Sequence, residues 1–443
     1  MTKELQLSFT DKEITPWGGM ALMGRLLKKM GFRELLSKSG LPVQGSNRGY
    51  APEQLIEQFL ISVWCGANRF EHLEVTRQDE TIRQIFGYKS MAAHKAFMRY
   101  FKKFEQGTNQ RIFQRLYQWF FEQLHFDNFT LDLDSTVISR YGKQEGARRG
   151  YNPRKPGRAS HHPLLAFVSE CRMVANCWLR SGDAHTANNF HSFLEDTLDK
   201  LTGKEVGLLR ADSGFFSKEV VQYLERPERP IPYIIAARLQ KPLQRLLAAQ
   251  REWTVLDEGI EVASCEYHGL GWGKERRMIM VRQQIKLRPK ATGKTLRLFA
   301  DDVAYRDYRY GCFLTSLDLP AEVVWRIYRM RADAENRIKE LKYDFGAESF
   351  NMTNFSATEA AMNFVMLAYN FMSLFRQAVL GSKIHPTLKT MRYKLFAIGG
   401  YLIKEGNTRI LKLSLAMKRR EWFVGLWDKS RSFVLPVSFP PNF

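Results

Sequence analysis

Apolar residues recur at helical spacing over the first 125 positions of the chain. Pro52 begins a run in which apolar side chains stand at 55, 56, 59, 60 and 63, and a second run of this kind lies between Ile112 and Leu124. An amphipathic helix buries one face at such a spacing, and proline is favoured in its first turn. We therefore expect residues 1–125 to form a helical domain.

The pattern changes at Phe126. Residues 129–134 alternate strictly between apolar and polar side chains, which is typical of a strand. Further runs of strand length and helical patterns follow, and their order predicts a mixed α/β layer. The further strand runs lie at 164–168, 173–179, 206–210 and 232–237, and the helical patterns at 187–202 and 217–224.

Residues 240–318 differ again, because short runs of β-forming residues are separated there by glycines and charged turns. This pattern predicts a β-rich insertion. Pro320 then opens a pattern that predicts one long helix to about Tyr343, and we expect the chain from residue 358 onwards to be mostly helical. The β-type runs of the insertion lie at 278–281, 295–299 and 312–316.

Charge is the most informative feature of the composition. The chain has 443 residues, of which 67 are Lys or Arg and 46 are Asp or Glu, so its formal net charge is +21. Its 44% of hydrophobic residues exclude a disordered chain. Five cysteines without a C-x-x-C pair, and the lack of a long apolar stretch, predict a soluble cytosolic protein without disulfides or a zinc ribbon. The positive charge points first to nucleic acid as partner, with an enzyme that has an ordinary basic surface as the alternative.

The positive charge is concentrated in two segments. Residues 376–431 hold 13 Lys or Arg against three acids, with aromatic residues interleaved, which suits a surface that follows phosphates. A solvated helical face is the alternative. Residues 143–158 hold six basic residues, three glycines and two prolines, and so form a basic loop that either contacts DNA or is simply flexible. The loop residues that we expect to contact DNA are Arg148, Arg149, Arg154, Lys155 and Arg158.

Three acids stand out by their position. Asp134 and Asp212 each end a predicted strand, and Glu335 lies on the predicted long helix. Their separations of 78 and 123 residues mean that only the fold can bring them together. Carboxylate oxygens are the ligands that Mg²⁺ prefers, and two such ions about 4 Å apart can bridge a scissile phosphate. Asp132 shares a strand face with Asp134 and is a second-ranked ligand or a supporting carboxylate.

The predicted helix carries cations on the same face as its acid. Successive residues of a helix are about 100° apart, so four polar residues fall within a stripe about 60° wide. An acid between two cations and a phenol is a suitable combination for cutting DNA. A stripe of salt bridges is the alternative, since Lys339 is also well spaced for an ion pair with Glu335. The four residues of the stripe are Tyr328, Arg331, Glu335 and Lys342.

These motifs resemble those of the DDE transposases of bacterial insertion sequences, in particular the group with the helix pattern Y-(2)-R-(3)-E-(6)-K. The four residues of the stripe match all four positions of that pattern at full spacing. LDLDSTV at 131–137 resembles the family's first-aspartate strand, with Asp134 in the matching place. RADSGFF at 210–216 resembles its second-aspartate turn, with Asp212 in the matching place. Two further segments that resemble this group are 14–20 and 150–167.

The resemblance implies an α/β fold built on an RNase H-like catalytic domain. That domain would comprise residues 126–239 and 319–357, with the β-rich insertion of 240–318 between its two parts. A helical DNA-binding region, 1–125, and a basic helical region, 358–443, would flank it.

The resemblance also implies an activity. Asp134, Asp212 and Glu335 would hold Mg²⁺, for which Mn²⁺ is expected to substitute, and the enzyme would cut DNA at terminal inverted repeats and join the 3′-hydroxyls to target DNA. Because two ends must be paired, we expect a homodimer on DNA. The expected location is the bacterial cytoplasm, in association with the nucleoid.

Further residue roles follow from the same resemblance. Tyr328, Arg331 and Lys342 would hold the phosphates of the transposon end. The insertion of this family can carry a tryptophan that stacks on a flipped base during hairpin formation, and Trp272, in a basic turn flanked by glycines, is the candidate. An ordinary buried tryptophan is the alternative. The rival tryptophans are Trp253 and Trp325.

Two other functions stay open. The first is an RNase H-like nuclease without strand transfer, against which the large basic C-terminal region argues. The second is a non-catalytic DNA-binding protein derived from a transposase. The presence of Asp134, Asp212 and Glu335 argues against that function, because binding needs none of them.

Overall fold

The computed structural model describes residues 4–45, 49–269, 271–288, 307–382 and 384–440. The strand run predicted at 295–299 therefore lies outside the described residues. None of the described helices is long and apolar enough to cross a membrane.

The chain divides into two compact units. The first comprises residues 1–116 and 339–437, and the second comprises 117–338 and 438–443. These limits differ from those of the four predicted segments, which stay a prediction.

In the described part of residues 1–122 helices are the main elements, and two of them lie where the apolar spacing predicts them. Pro52 is the first residue of its helix, and Gly66 ends that helix with a φ of +117°, which glycine adopts without strain. The helices of this part are α1 (Ala21–Met30), α2 (Phe32–Lys38), α3 (Pro52–Cys65), α4 (Glu74–Arg77), α5 (Glu80–Ile85), α6 (His94–Phe101) and α7 (Gln106–Glu122).

Seven strands follow one another between residues 124 and 178, and helices and strands then alternate to residue 236, close to the predicted positions. Ser217 caps the second of the two helices, because its hydroxyl accepts a hydrogen bond from the backbone N–H of Val220. The elements are β1 (Leu124–His125), β2 (Phe129–Ser135), β3 (Ile138–Ser139), β4 (Arg148–Arg149), β5 (Ala159–His161), β6 (Leu164–Val168), β7 (Met173–Trp178), α8 (Phe190–Lys200), β8 (Val206–Ala211), α9 (Lys218–Leu224) and β9 (Tyr233–Ala236).

The segment after residue 240 adds strands to the same sheet. Its elements are α10 (Lys241–Ala249), β10 (Thr254–Asp257), β11 (Ile260–Tyr267), β12 (Arg276–Gln284) and β13 (Tyr308–Thr315). Within the described ranges, nine strands form one mixed sheet in the order β10-β11-β12-β13-β9-β8-β2-β6-β7. The pairs β2–β8 and β8–β9 are parallel, and the others are antiparallel. The segment 240–318 thus extends the central sheet through the pairing of β13 with β9.

The rest of the chain differs from the prediction in two places. The single helix expected from Pro320 is two helices, and a hairpin interrupts the expected helical region near residue 400. The elements are α11 (Ala321–Arg329), α12 (Ala332–Tyr343), α13 (Phe355–Leu374), α14 (Leu388–Met391), β14 (Gly400–Glu405), β15 (Thr408–Leu413), α15 (Met417–Ser432) and β16 (Val437–Ser438), with π-helical turns at Phe375–Leu380 and Arg392–Phe396.

A buried cluster fixes α11 on the sheet of the second unit. Val324, Trp325 and Ile327 of the helix pack among buried residues of the sheet, such as Ile279 and Phe313. Burying side chains of this size contributes roughly 1.5–3 kcal/mol each. The cluster therefore holds the helix that ends beside the predicted acids.

Candidate active site

Two of the predicted acids lie at the same edge of the central sheet. β2 and β8 are adjacent and parallel, and their register pairs Leu133 with Ala211. Asp134 and Asp212 each follow these paired residues by one position. Because parallel strands end at the same edge of a sheet, the fold brings the two aspartates side by side across 78 residues of sequence.

The third acid reaches this edge from the helices that follow the sheet. α11 ends at Arg329 and α12 begins at Ala332, with Arg331 in the turn between them. One Nη atom of Arg331 lies 2.9 Å from a carboxylate oxygen of Asp134, and the other lies 3.8 Å from a carboxylate oxygen of Glu335. A single guanidinium group thus connects the first aspartate and the glutamate.

Arg331 is held firmly in this position. It also donates a hydrogen bond of 3.0 Å to the backbone carbonyl of Leu133, and its side chain is only 5% exposed. The Asp134 side chain is 10% exposed and that of Glu335 is 60% exposed. Asp134 is therefore fixed in a buried ion pair, whereas Glu335 stands at the surface and has room to rotate.

The three carboxylates share one electrostatic environment. The pKa of Asp134 is raised from 3.8 to about 6, chiefly by burial; Arg331 opposes this increase, and the charges of Asp212 and Glu335 contribute to it. The negative charges of Asp212 and Glu335 thus reach Asp134. Such a cluster of acids favours the binding of a cation, and Arg331 supplies the cationic charge in this structure.

The turn after β8 fixes Asp212. Its Oδ1 atom accepts a hydrogen bond of 2.9 Å from the backbone N–H of Gly214 and so caps a short 3₁₀ helix, Ser213–Phe215. A methyl group on Gly214 would come within 2.7 Å of the Thr186 side chain, so the turn has no space for a larger residue. Glycine is required here for close approach.

His161 and His162 are adjacent in the sequence, which favours loop residues over a metal pair, and His162 is a neighbour of the site. Its Nε2 lies 3.1 Å from the hydroxyl of Ser135, the residue after Asp134, and its Nδ1 lies 3.0 Å from the carbonyl of Ala184. Burial lowers the pKa of His162, which favours the neutral ring. The sequence gives little indication of this contact, because only the pairing of β6 with β2 brings residues 162 and 135 together.

A cavity of about 360 Å³ opens beside the acids in the second unit. Tyr328, Arg331 and Glu335 line it, as do the rival tryptophan Trp325 and the cationic Arg329. Among the described residues, Nε of Arg331 and Nε1 of Trp325 are buried without a hydrogen-bond partner. These two donors belong to residues of the cavity wall, and a ligand reaches them only if the side chains move.

The other members of the predicted helical stripe have different surroundings. Tyr328 packs its ring against Phe313 at 4.4 Å, and its hydroxyl lies 3.5 Å from the carbonyl of Ala211. Burial raises its pKa to about 12. Lys342 lies about two turns after Glu335 on α12 and is only 7% exposed. A phosphate contact of Tyr328 or Lys342 stays a prediction.

Trp272 is buried in this structure. Its side chain is 2% exposed, with the guanidinium of Arg276 over the ring at 4.7 Å and with Phe216 and Tyr267 at its edges. A stacking contact between Trp272 and DNA stays a prediction, and it requires the ring to leave these neighbours. Trp253 stands near another cation, because Arg282 lies 4.5 Å from its ring.

The basic loop is exposed, and part of it is ordered around one tyrosine. Lys155 and Arg158 lie 4.8 and 4.9 Å from the ring of Tyr141. Arg148, in the two-residue strand β4, makes an exposed ion pair with Asp183 at 3.3 Å. The loop thus presents its positive charge to solvent, and its contact with DNA stays a prediction. The exposed basic residues are Arg148, Arg149, Arg154, Lys155 and Arg158.

A divalent metal suits the donor set but would require side chains to move. Within the part of the chain that the structure describes, no three His, Cys, Asp or Glu side chains are grouped closely enough to hold a metal ion. The three acids nevertheless supply only hard oxygen donors, and burial together with the charges of Asp212 and Glu335 raises the pKa of Asp134. Asp134, Asp212 and Glu335 would hold the ion after Arg331 releases Asp134.

Comparison with known proteins identifies a family. The model of the family described as transposase DDE domain group 1 matches residues 1–431. No curated protein matches the chain significantly. Among solved structures, a chain of the cryo-EM structure of a piggyBac transposase synaptic complex with hairpin DNA is similar, with 14% identity and a TM-score of 0.48 over 85% of this chain and 78% of that chain.

Proposed function

The chain belongs to the transposase DDE domain group 1 family, and from that premise we propose that it cuts DNA at the ends of an insertion sequence and joins the freed 3′-hydroxyls to target DNA. In this proposal Asp134, Asp212 and Glu335 are the catalytic carboxylates. The observation that carries it is geometric: Asp134 and Asp212 follow adjacent parallel strands at one sheet edge, and Arg331 lies 2.9 Å from Asp134 and 3.8 Å from Glu335.

The proposed site would act through divalent ions. When bound, Mg²⁺ supplies Lewis-acid activation of the phosphate and of the attacking water or 3′-hydroxyl, and we expect Mn²⁺ to substitute. The chain's own contribution is to hold three carboxylates on rigid elements, two on adjacent strands and one on α12. Such a frame positions the reacting groups before the chemistry begins.

Arg331 has two roles in this proposal. In the DNA-free structure it neutralises part of the charge of Asp134, at 2.9 Å. It lines the cavity beside Glu335, together with Tyr328. A phosphate of the transposon end would satisfy its buried Nε donor, and the guanidinium would then exchange Asp134 for the phosphate.

The remaining parts of the proposal concern the fold and the DNA. We assign an RNase H-like core to the strands β7-β6-β2-β8-β9, because three antiparallel strands are followed there by two parallel ones. Terminal inverted repeats and target DNA would lie along the basic loop and the basic segment 376–431. Pairing two ends calls for a homodimer on DNA, in a bacterial host.

A cleavage assay tests the proposal. Linear DNA that carries the inverted repeats bounding the reading frame is incubated with the full chain and Mg²⁺. We expect cuts at the repeat ends and joined products. The variants Asp134→Asn, Asp212→Asn and Glu335→Gln should each lower the cleavage rate by more than about 100-fold and leave DNA binding nearly unchanged.

A matched control is available on the same helix. Asp333 is exposed and lies two residues before Glu335 on α12, so Asp333→Asn should keep wild-type cleavage. Cutting without regard to sequence and without joining would favour the nuclease alternative. Binding of the repeats without any cutting would favour the non-catalytic alternative.

A further inference from the structure

A buried ion pair lies directly behind the three acids. Arg210 of β8 donates to both carboxylate oxygens of Asp132 on β2, at 2.7 and 2.9 Å. The side chains are 1% and 0% exposed. The two residues face each other in the parallel register, and they precede Asp212 and Asp134 by two positions each. Because strand side chains repeat every two residues, each partner of the pair lies on the same strand face as an acid.

Arg210 also binds the helix that carries the other site residues. Its Nη1 donates a hydrogen bond of 2.6 Å to the backbone carbonyl of Ile327, and its Nη2 lies 3.2 Å from the hydroxyl of Ser169. In an uninterrupted α-helix the carbonyl of Ile327 would accept from the backbone N–H of Arg331. That N–H bonds instead to the carbonyl of Tyr328, at 3.0 Å.

The captured carbonyl coincides with the break between α11 and α12. A side chain that inserts into the hydrogen-bond ladder is a recognised cause of a helix kink. The break places Arg331 in a turn, from which it reaches Asp134 at 2.9 Å, and it starts α12 so that Glu335 lies in the first turn. The sequence pattern predicted one continuous helix here because nothing local interrupts it.

We propose that Asp132 and Arg210 are positioning residues for the active site. The pair fixes the relative height of Asp134 and Asp212 across two strands, and through Ile327 it holds the helix break that directs Arg331 and Glu335 to the same edge. This inference rests on the proposed function, since it assigns the pair a part in forming that site. Arg210 donates to both carboxylate oxygens of Asp132, which fits a supporting role for this residue.

A buried ion pair that served stability alone would be replaceable. Apolar residues of similar volume often restore or increase stability when both partners of such a pair are changed together. Here the bonds of Arg210 reach two different elements, β2 through Asp132 and α11 through Ile327. Apolar side chains can fill the same space but cannot donate a hydrogen bond to the carbonyl of Ile327. We therefore expect the double replacement to restore stability without restoring activity.

The test uses the full chain, Asp132→Asn and Arg210→Lys, and a matched pair elsewhere in the same unit. Arg276 of β12 binds Glu225 in the same two-pronged way, at 2.9 and 2.8 Å, and Glu225→Gln and Arg276→Lys are the controls. Four quantities are measured: the melting temperature, the kcat of end cleavage, its KM, and the Mn²⁺ concentration that gives half of the Mn²⁺-induced rise in melting temperature.

We expect Asp132→Asn and Arg210→Lys to lower kcat by about 10- to 100-fold at nearly unchanged KM, and to raise the half-effective Mn²⁺ concentration by about 10-fold or more. The control variants should have a lower melting temperature, but their kcat and their half-effective Mn²⁺ concentration should equal those of the wild type. The double variant Asp132→Leu with Arg210→Met should regain melting temperature but not kcat, which keeps the test decisive if the single variants fold poorly.

Two results would overturn the inference. One is that Arg210→Lys behaves as Arg276→Lys does, losing melting temperature while kcat and Mn²⁺ binding stay at wild-type values. The other is that the double variant recovers kcat together with melting temperature. If the wild type itself does not cut the repeat ends, the proposed function fails, and the Mn²⁺ measurement still decides whether the pair shapes the acid site.

Discussion

At the scale of single residues, the clearest feature of Asp134 is a pKa raised above its ordinary value. Its pKa is raised to about 6 because the carboxyl group is buried, and the neighbouring Asp212 and Glu335 add to this effect. In the unfolded chain an aspartate titrates at about 3.9. The folded protein therefore binds the proton of Asp134 more readily, so the stability that this group contributes is highest below about pH 4 and is lost as the pH rises through about 6.

This shift predicts a pH dependence of stability. Without divalent metal, the free energy of unfolding of the wild type should fall relative to Asp134→Asn by on the order of 2 kcal/mol between about pH 4.5 and 7.5. The asparagine variant cannot titrate at this position, so the difference isolates the carboxyl group. Urea unfolding at several pH values in EDTA measures it. A difference that stays constant with pH would show that Asp134 titrates normally.

The sequence singles out three candidate acids, but it does not show their surroundings. Asp134 and Asp212 are recognisable because each follows a local strand pattern, and Glu335 because the helical spacing sets it beside cations. The ion pair of Arg331 with Asp134 has no local signal, since the partners are 197 positions apart in the printed sequence. Asp132 and Arg210 likewise meet only through the register of β2 and β8.

At the scale of secondary structure, local patterns predicted the elements well where local forces decide. The strict alternation at 129–134 corresponds to β2, and the N-terminal apolar stripes correspond to α3 and α7. The hairpin β14–β15 was missed although YLIKEGNTRILKL places a Gly-Asn turn between two runs rich in β-branched and aliphatic residues. The break between α11 and α12 could not be predicted, because a side chain from a distant strand captures the carbonyl of Ile327.

The close packing of the turn after β8 leads to a prediction for the replacement of Gly214 by alanine. In Gly214→Ala the added Cβ would lie 2.7 Å from Thr186 and 2.9 Å from Oδ1 of Asp212, so the capping carboxylate must shift. We expect cleavage to slow by about 10- to 100-fold, because small displacements of a reacting group are costly. Kinetics of end cleavage measures the change.

Gly107→Ala is the matched control for that substitution. An added methyl group at Gly107 meets no atom within 4 Å, and this glycine lies in α7. Its cleavage rate should equal that of the wild type. If Gly214→Ala also cuts at the wild-type rate, the turn after β8 does not fix the working position of Asp212.

At the scale of the whole molecule, the net charge of +21 indicates a polyanionic partner. Membership of a transposase family is consistent with that indication. The resemblance in the sequence motifs agreed with the family match over residues 1–431. The extension of the central sheet by β13 and its neighbours could not be predicted, because strand order depends on pairing between distant segments. The sequence pattern of residues 240–318 by itself suggested a β-rich insertion.

The basic loop predicts a salt-dependent contribution to DNA binding. In the triple variant Arg154→Gln, Lys155→Gln and Arg158→Gln, three exposed cations are removed. If each contacts a phosphate, the slope of log affinity against log salt concentration should shrink by about 2.7, since each contact contributes about 0.9. Fluorescence anisotropy with repeat-end DNA at several salt concentrations measures the slope.

A control for this variant removes the same number of charges elsewhere. Lys241, Arg245 and Arg251 are exposed on or next to α10, and their change to Gln should leave the slope nearly unaltered. Equal slopes for the loop variant and the wild type would mean that the loop does not touch DNA phosphates.

The central claim is that Asp134, Asp212 and Glu335 form one metal site when DNA is bound. Replacing Mg²⁺ by Fe²⁺ in the protein–DNA complex, and adding ascorbate and peroxide, generates hydroxyl radicals that cut the peptide backbone beside the bound ion. We predict cuts in three segments, around residues 134, 212 and 335, all suppressed by excess Mg²⁺ and by Asp134→Asn. Cuts that spare any one of these segments, or that survive Asp134→Asn, would contradict the claim.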